Sequence, residues 1–192
     1  FVDFSKAFDS VHHQLLLLKL EYYGITGKLY GWLKAYLTKR RHRVRIGKDY
    51  SNWAEVPSGV PQGSVLGPLL FVIFIDDIRR ILQSNWLLFA DDLKIWSRDG
   101  NHVLLQEDLN NLANWSLTNG LPINPSKAAV LTIGPCKNVQ IYQIDGVVIK
   151  RAAQVKDLGV RLQSDLKGRA HVESAGKNGW RSLMMIRRAF HQ

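Results

Sequence analysis

The chain is 192 residues long and 46% hydrophobic, which is enough to bury one hydrophobic core of about domain size. Its 26 Lys and Arg residues against 16 Asp and Glu give a net charge of +10, which favours a polyanionic partner. The single cysteine, Cys136, excludes an intrachain disulfide framework and fits a reducing, intracellular setting, and the longest apolar stretch, residues 65–75, is too short to span a bilayer.

The first third of the chain alternates predicted strand and helix. Residues 1–4 are mostly apolar and predict a strand, and residues 10–23 follow with the spacing of a helix. A second predicted helix comes next, and its apolar residues at helical spacing are Leu29, Trp32, Leu33, Tyr36 and Leu37. Residues 44–46 and 53–56 then predict the two strands of a β-hairpin.

The middle third predicts a helix and a second hairpin. A loop rich in Pro and Gly at residues 57–63 precedes a predicted helix that Ser64 is placed to cap. The residues predicted to face inward are Leu66, Leu69, Leu70, Ile73 and Phe74. Residues 87–90 and 93–96 predict a hairpin with two aspartates in its turn, and residues 102–118 predict an amphipathic helix.

The last third predicts short strands and a terminal helix. Strands are predicted at residues 128–133, 139–144 and 147–150, and Asp145-Gly146 between the last two is a strong hairpin turn signal. Residues 168–190 predict a helix. The whole pattern is typical of an α/β (α+β) fold. Because the chain opens inside a predicted strand, without an initiator methionine, we interpret it as a fragment.

Acidic residues follow two of the apolar, β-prone runs. Asp3 lies in the first run, and Asp91 and Asp92 end the second, with Pro61-Gln62-Gly63-Ser64 between them in the sequence. An isolated Asp-Asp pair is more commonly a strand end followed by a solvated turn. The three segments in this order are more specific, since the two hard cations of an in-line phosphoryl transfer need oxygen ligands. The layout therefore predicts two-metal phosphoryl transfer.

Five ordered motifs carry a resemblance to a known family. They are residues 1–11, residues 58–71 around Pro61-Gln62-Gly63, residues 89–94 around Asp91-Asp92, Asn124-Pro125-Ser126-Lys127, and Lys156-Asp157-Leu158-Gly159-Val160. With these motifs the chain resembles the palm of a reverse transcriptase from a non-LTR (LINE, CR1/jockey-like) retrotransposon. The resemblance implies a mainly antiparallel palm sheet backed by helices at residues 1–150. It also implies a primer-grip hairpin with the start of a helical thumb at residues 151–192, and a missing fingers segment.

The resemblance implies roles for the acidic residues. Asp3 and Asp91 would hold two Mg²⁺ ions, for which Mn²⁺ can substitute, with the main-chain carbonyl of Phe4 as an added ligand and Asp92 as the neighbouring carboxylate. Substrate phosphates complete the coordination shell of Mg²⁺, so few protein ligands are needed. The primer 3′-OH would attack the α-phosphate of a dNTP, and pyrophosphate would leave.

The resemblance also implies contacts with the nucleotide. Phe8 occupies the position of the steric gate, where a bulky ring collides with a ribose 2′-OH, and core packing is the alternative. Gln62 would touch the incoming nucleotide or template base, and Gly63 would permit close backbone approach, although Pro-Gln-Gly alone is an ordinary turn. Lys127 would protonate the pyrophosphate, but a solvated lysine is equally open, and Ala128 stands where the family often has Thr.

Nucleic-acid contacts are predicted in two places. The resemblance implies a primer grip at Leu158, Gly159 and Val160, for which an ordinary β-turn is the alternative. Clustered basic residues predict phosphate contacts, with a solvated charged hairpin as the alternative. These residues are Lys39, Arg40, Arg41, Arg43 and Arg45. The nearby aromatic residues Trp32, Tyr36 and Trp53 can stack on bases, but we expect them to pack in the core.

The predicted function is that of an RNA-directed DNA polymerase, with an RNA template, a DNA primer or target and dNTPs as partners. The family implies the nucleus and cytoplasm as its setting. One alternative is a catalytically silent nucleic-acid-binding remnant. Another is an RNA-dependent RNA polymerase palm, against which a bulky Phe8 argues. Asp9 is interpreted as a helix cap, and His12 and His13 as residues without a metal role. The sequence predicts no oligomeric state.

Overall fold

The computed structural model describes residues 1–98, 100–134 and 140–190, so Cys136 and the predicted strand start at Val139 lie outside the described residues. Within them, six α-helices and one 3₁₀-helix alternate with twelve short strands, which confirms the mixed α/β class. The helices are α1 Ala7–Ser10, α2 His13–Tyr22, α3 Gly27–Leu37, α4 Leu66–Ile75, the 3₁₀-helix Asp76–Arg80, α5 His102–Asn119 and α6 Arg169–Phe190. The strands are β1 Arg41–His42, β2 Arg45–Ile46, β3 Asp49–Tyr50, β4 Ala54–Glu55, β5 Asn85–Phe89, β6 Asp92–Trp96, β7 Ala129–Val130, β8 Gln143–Ile144, β9 Val147–Val148, β10 Lys150–Arg151, β11 Gln154–Asp157 and β12 Val160–Gln163.

The N-terminal segment, residues 1–4, lies between two neighbouring backbones. On one side Val2 forms an antiparallel bridge with Leu93 of β6, and on the other Phe4 forms one with Ile123. The side chains of Val2 and Phe4 are buried, so the apolar residues of the segment face the core. The predicted strand is therefore present as two isolated bridges. Asp3 lies between them, next to both β6 and the segment that contains Ile123.

β5 and β6 form the predicted hairpin. They pair antiparallel, and the last register position places Phe89 opposite Asp92. This leaves Ala90 and Asp91 as a two-residue turn. Ala90 has a φ of 53°, a left-handed conformation that costs an L-residue about 1–2 kcal/mol. The tip that carries the aspartates is therefore held in a strained backbone conformation.

α4 lies at the centre of the core, where it packs against α2. Leu70 and Phe74 are buried as predicted, but Leu69 is 55% exposed, and that part of the prediction was wrong. Phe71 and Ile75 are fully buried instead. Because α4 is apolar almost all round, hydrophobicity alone does not indicate which of its faces is buried.

Ser64 was predicted to cap α4, but Val65 is at the N-cap of the helix, and Ser64 lies one residue before it and still contacts the first turn. The Ser64 hydroxyl accepts from the backbone N–H of Gly67 at 2.9 Å and donates to the carbonyl of Pro61 at 2.7 Å. A Cβ on Gly67 would lie 2.5 Å from the Pro61 oxygen. The loop and the helix therefore meet too closely for any residue other than glycine at this position.

Two carboxylates anchor the helices around the core. Asp77 pairs with Lys19 Nζ of α2 at 3.0 Å and accepts from Trp115 Nε1 of α5 at 3.0 Å. Asp108 of α5 is completely buried and accepts from two consecutive backbone N–H groups after the 3₁₀-helix, at 2.9 and 2.8 Å. Charged acceptors make stronger hydrogen bonds than neutral ones, so these contacts fix α5 against the rest of the fold.

Residues 41–55 form one antiparallel ribbon, here called the basic ribbon, and its pairing differs from the predicted hairpin. β2 pairs with β3 next to the turn, and β1 pairs with β4 farther from it. Residues 44–46 therefore pair with residues 49–51 and not with residues 53–56. The register shifts by one residue between the two pairs, which places a β-bulge in the second strand. The turn residues predicted a hairpin but not its register.

The C-terminal third follows the prediction in outline. α5 and α6 occupy the predicted helices, and β8 and β9 turn at Asp145-Gly146, although the strands are shorter than predicted. β11 and β12 form a further antiparallel hairpin. α6 has no buried residue along its described length. Among the described residues, no helix combines the length and the apolar character needed to cross a membrane.

Candidate active site

Asp3 lies beside the turn formed by residues 124–127. Backbone N–H groups of Lys127 and Ala128 both donate to the carbonyl of Asn124 at 3.1 Å, which fixes the turn. This turn brings Lys127 Nζ to 3.5 Å from Asp3 Oδ2. Oδ2 is buried and has no hydrogen-bond partner among the described residues. A buried carboxylate oxygen without a donor is costly, so this atom is available to a cation.

A cavity of about 110 Å³ joins Asp3 to the β5–β6 hairpin. Its walls include Asp3, Asp92, Lys94, Lys127 and Asp157. Asp92 and Lys94 lie two positions apart on β6 and both line it, whereas Asp91 does not. Of the two hairpin aspartates, Asp92 is therefore the one in the wall shared with Asp3.

The charges around Asp92 repel one another. Burial raises the pKa of Asp92 above its ordinary value, and the negative charges of Asp91, Asp157 and Asp3 raise it further. Lys94 acts in the opposite direction. The raised pKa reflects burial first and the neighbouring carboxylates second, and a bound cation would relieve the repulsion among those carboxylates.

The oxygen donors of this site fit a hard divalent cation. Asp3 and Asp92 supply carboxylate oxygens to the cavity wall, Asp91 is the next residue along the hairpin, and Asp3 Oδ2 is buried without a hydrogen-bond partner among the described residues. Within residues 1–98, 100–134 and 140–190, no group of three or more His, Cys, Asp or Glu side chains is arranged to hold a metal ion. Mg²⁺ needs no such group where one or two carboxylates and the substrate phosphates hold it.

Lys94 and Asp157 form an ion pair in the cavity wall. Lys94 Nζ lies 2.5 and 2.7 Å from the two carboxylate oxygens, and the side chains are only 18% and 17% exposed. The pair joins β6 to β11, next to the turn of the β11–β12 hairpin, where Leu158 and Gly159 have φ of 44° and 89°. The hairpin predicted as a primer grip is thereby fixed against the hairpin that carries the aspartates.

Gln62 is oriented by Asp9. Its Nε2 donates to Asp9 Oδ1 at 2.8 Å, and the Ser58 hydroxyl donates to the Asp9 carbonyl at 2.8 Å. Asp9 lies inside α1 and does not cap it, so that interpretation was wrong. Gly63 has a φ of 78°, and a Cβ there would meet nothing within 4 Å, so the turn itself favours glycine. The close approach occurs at Gly59, where a Cβ would lie 2.8 Å from Asp9 Cα.

Phe8 is partly buried and stacks on a core side chain. Its ring lies 4.4 Å from that of Phe71, centroid to centroid, at an interplanar angle of 17°. Phe71 is fully buried in α4. Packing therefore fixes the plane of the Phe8 ring, and this is compatible with a gate role for the part of the side chain that is exposed.

Arg40, one of the basic residues predicted to contact phosphates, is held by partners outside the basic ribbon. Its Nη2 donates to the carbonyl of Gly59 at 2.5 Å and its Nε to that of Leu37 at 3.0 Å. His13 Nε2 lies 2.8 Å from the same Gly59 oxygen. Burial lowers the pKa of His13, the bond to Gly59 raises it, and the Arg40 guanidinium lowers it again. A neutral His13 therefore donates to Gly59, and Arg40 ties the basic ribbon to the Gln62 loop.

Two aromatic residues near the basic cluster are exposed. Trp32 and Trp53 are 54% and 56% exposed, so the prediction that they pack in the core was wrong. Tyr36 is partly buried and stacks on Trp32 with centroids 5.4 Å apart. Lys39, Arg41, Arg43 and Arg45 are exposed as well. The region is therefore a surface rich in both cations and rings.

A family model described as "Reverse transcriptase (RNA-dependent DNA polymerase)" matches residues 1–162. The chain belongs to the reverse transcriptase family. The resemblance inferred from its five motifs is thereby confirmed.

Among the relatives of this reverse transcriptase chain is the "Probable RNA-directed DNA polymerase from transposon BS" of Drosophila melanogaster, 32% identical over 97% of the chain. The "RNA-directed DNA polymerase from mobile element jockey" of Drosophila funebris is 30% identical over 91% of it. The "Probable RNA-directed DNA polymerase from transposon X-element" of Drosophila melanogaster is 32% identical over 90% of it. The matches cover 22%, 20% and 20% of these proteins, so the chain spans about a fifth of their length.

The sequence interpretation missed several residues that position the site of this reverse transcriptase. The predicted strand began at residue 93 and left Asp92 in the turn, whereas β6 begins at Asp92, which puts Asp92 and Lys94 on one strand, two positions apart. Asp157 belongs to the last of the five motifs, but that motif does not indicate that Lys94 is its ion-pair partner. No local signal connects His13 or Arg40 with Gly59, because that contact depends on the packing of α2 against the loop.

Proposed function

We propose that the chain is the catalytic palm of an RNA-directed DNA polymerase from a non-LTR retrotransposon. It would add dNTPs to a primer 3′-OH on an RNA template by two-metal phosphoryl transfer. The observation that carries the proposal is the shared cavity, whose wall contains Asp3 from the N-terminal segment and Asp92 from the β5–β6 hairpin. Family membership supports the reaction class, and the cavity supports its location.

The acidic residues would hold the metal. Asp3 and Asp91, with the main-chain carbonyl of Phe4 and the neighbouring Asp92, would bind two Mg²⁺ ions, and Mn²⁺ could replace them. When bound, these ions supply Lewis-acid stabilisation to the reacting oxygens. The buried Oδ2 of Asp3, which has no hydrogen-bond partner among the described residues, supports this assignment. Lys127, 65% exposed and next to Asp3, would donate a proton to the leaving pyrophosphate.

The nucleotide would lie between α1 and the Gln62 loop. Phe8 would exclude a ribose 2′-OH, and its stacking on Phe71 supports a rigid ring. Gln62 would contact the nucleotide or template base through its carbonyl oxygen or its second amide N–H, because one N–H already donates to Asp9. Gly63 would keep the loop backbone open to close approach by the nucleotide.

The remaining nucleic-acid contacts extend away from the cavity. Leu158, Gly159 and Val160 would form the primer grip, which the Lys94–Asp157 ion pair ties to the aspartate hairpin. Lys39, Arg41, Arg43 and Arg45 would contact phosphates of the template or primer. Residues 1–150 would form the palm, and residues 151–192 the grip and the start of a thumb. The partners would be an RNA template, a DNA primer or target and dNTPs, in the nucleus and cytoplasm.

Primer extension on an RNA template with dNTPs and Mg²⁺ tests the proposal. The parent is this chain joined to the fingers segment of a relative, and the comparison is the same protein with Asp91→Asn, which removes one anionic ligand. We expect extension by the parent and its loss in the variant. If the joined parent binds the primer-template and never extends it, a silent nucleic-acid-binding remnant becomes the better account.

Replacing Phe8 with Val is expected to raise rNTP incorporation relative to dNTP by about 10- to 100-fold, because a clash of about 1–3 kcal/mol with the 2′-OH is removed. Single-nucleotide insertion with matched dNTP and rNTP measures the ratio. Phe190→Val, at a ring that is 83% exposed on α6, is the matched control and should leave the ratio unchanged. An unchanged ratio in Phe8→Val would mean that the ring only packs against Phe71.

A further inference from the structure

The basic ribbon carries an ordered group of arginine and aromatic side chains, here called the arginine–aromatic cluster: Arg43, Arg45, Tyr50 and Trp53. The Arg43 guanidinium lies 3.9 Å from the centroid of the Tyr50 ring and 4.7 Å from that of Trp53. Arg45 lies 5.5 Å from the Tyr50 ring. At these separations a guanidinium over a ring face is attracted by the ring quadrupole. One cation therefore holds two rings in place without a hydrophobic core beneath them.

The rings of the cluster are open to solvent. Tyr50 is 49% exposed and Trp53 is 56% exposed, and every residue of the basic ribbon is exposed. Large aromatic side chains are ordinarily buried, so two of them held half-exposed on a ribbon form a surface with unsatisfied apolar area. Such rings offer flat faces on which another flat, partly apolar group can stack.

The charge of the ribbon selects the partner of these rings. The basic ribbon contains four cations, Arg41, Arg43, Arg45 and Lys48, against the two acids Asp49 and Glu55, and Lys39 and Arg40 stand directly before it. Aromatic rings surrounded by cations suit a nucleic acid, because the rings can stack on its bases while the cations contact its phosphates. Bases in a duplex are stacked on each other and present only their edges, whereas unpaired bases expose their faces.

The base of the ribbon is joined to the nucleotide loop. Arg40 donates to the carbonyl of Gly59, three residues before Gln62, and the backbone N–H of Val56 donates to the carbonyl of Arg40 at 2.9 Å. The ribbon therefore leaves the fold from the segment that would contact the incoming nucleotide. A nucleic-acid strand bound to the ribbon would be able to continue past the Gln62 loop into the cavity.

We propose that the arginine–aromatic cluster binds single-stranded nucleic acid, with unpaired bases stacked on Tyr50 and Trp53 and phosphates against the ribbon cations. The proposal rests on the proposed function for its biological meaning, since the strand would be the template near the cavity. The binding itself requires neither metal nor nucleotide.

Fluorescence anisotropy with the 192-residue chain in EDTA tests the proposal. The probes are oligo(U), oligo(dT) of about 12 nucleotides, and the corresponding duplexes. Tyr50→Ala and Trp53→Ala are each expected to weaken binding of both single strands about tenfold, with little change for the duplexes and no change in the salt dependence. Tyr22→Ala, at a ring on α2 that is 68% exposed and lies 5.1 Å from the Arg80 guanidinium, is the matched control and should bind as the parent does.

Two further variants separate stacking from charge and from folding. Tyr50→Phe keeps the ring and is expected to retain the parent affinity, which shows that a loss in Tyr50→Ala comes from the missing ring. Arg41→Gln is expected to weaken single strands and duplexes alike and to lower the salt slope by about one. Equal losses on single strands and duplexes in the alanine variants, or no loss at all, would overturn the proposal. Because no metal is present, these results are independent of whether primer extension succeeds.

Discussion

Primer extension is expected to fall about 10³-fold when Asp3 is replaced by Asn, with no loss of stability. Metal-held charge stabilisation is worth several kcal/mol, and each step of about 1.4 kcal/mol changes a rate tenfold. The buried Asp3 Oδ2 has no hydrogen bond to lose, and it lies in a group of mutually repelling carboxylates that includes Asp92. Its contact with Lys127 involves a side chain that is 65% exposed and contributes little. The free energy of unfolding should therefore stay constant or rise, as is common at functional sites.

Thermal unfolding with and without Mg²⁺ gives this prediction a readout other than activity. A cation that binds the folded state raises the Tm of the parent by mass action and should leave that of Asp3→Asn unchanged. Glu21→Gln, at an exposed position on α2, also removes one negative charge and should behave as the parent in both assays. An Mg²⁺ response of equal size in parent and Asp3→Asn would contradict the metal role of this carboxylate.

Elements that depend on residues close in sequence were predictable. The Asp145-Gly146 turn, the β5–β6 hairpin and the helices α5 and α6 all appear where local patterns predicted them. Which side of an element is buried was less predictable. The exposure of Leu69 was not predictable, because α4 is apolar almost all round and its sequence does not indicate which face is buried. The exposure of Trp53 was not predictable either, because its ring contacts Arg43 on the ribbon and not the core.

In the candidate site, too, the sequence identified individual residues but not the contacts between elements that are distant in sequence. The motifs identified Asp3 and the aspartate pair, because strand ends and turns are readable from the sequence. The motifs did not show that Asp92 shares the cavity wall with Asp3, since this depends on how the hairpin packs beside the N-terminal segment. The Lys94–Asp157 contact joins residues 63 positions apart, and such a pairing is set by tertiary packing alone.

Replacing Lys94 with Met is expected to lower the free energy of unfolding by about 3 kcal/mol, because removing one partner of a buried ion pair leaves the other charge uncompensated. The pair is less than one-fifth exposed on both sides. Asp157→Asn should cost less than Lys94→Met. After that change Lys94 still lies near the negative charge of Asp92, whereas removing Lys94 leaves Asp157 without its ion-pair partner and next to Asp92.

Urea unfolding of the parent, the two single variants and the double variant measures this coupling. The double variant should be more stable than the sum of the single losses implies, by about 1–3 kcal/mol, because no unpaired charge remains. Glu173→Gln breaks the exposed Arg169–Glu173 pair on α6 and is the matched control, with an expected loss below about 0.5 kcal/mol. Additive single losses would mean that the two charges act independently. Strong coupling would instead support an ion pair that holds the β11–β12 hairpin beside Asp92, where the primer end would have to lie for attack.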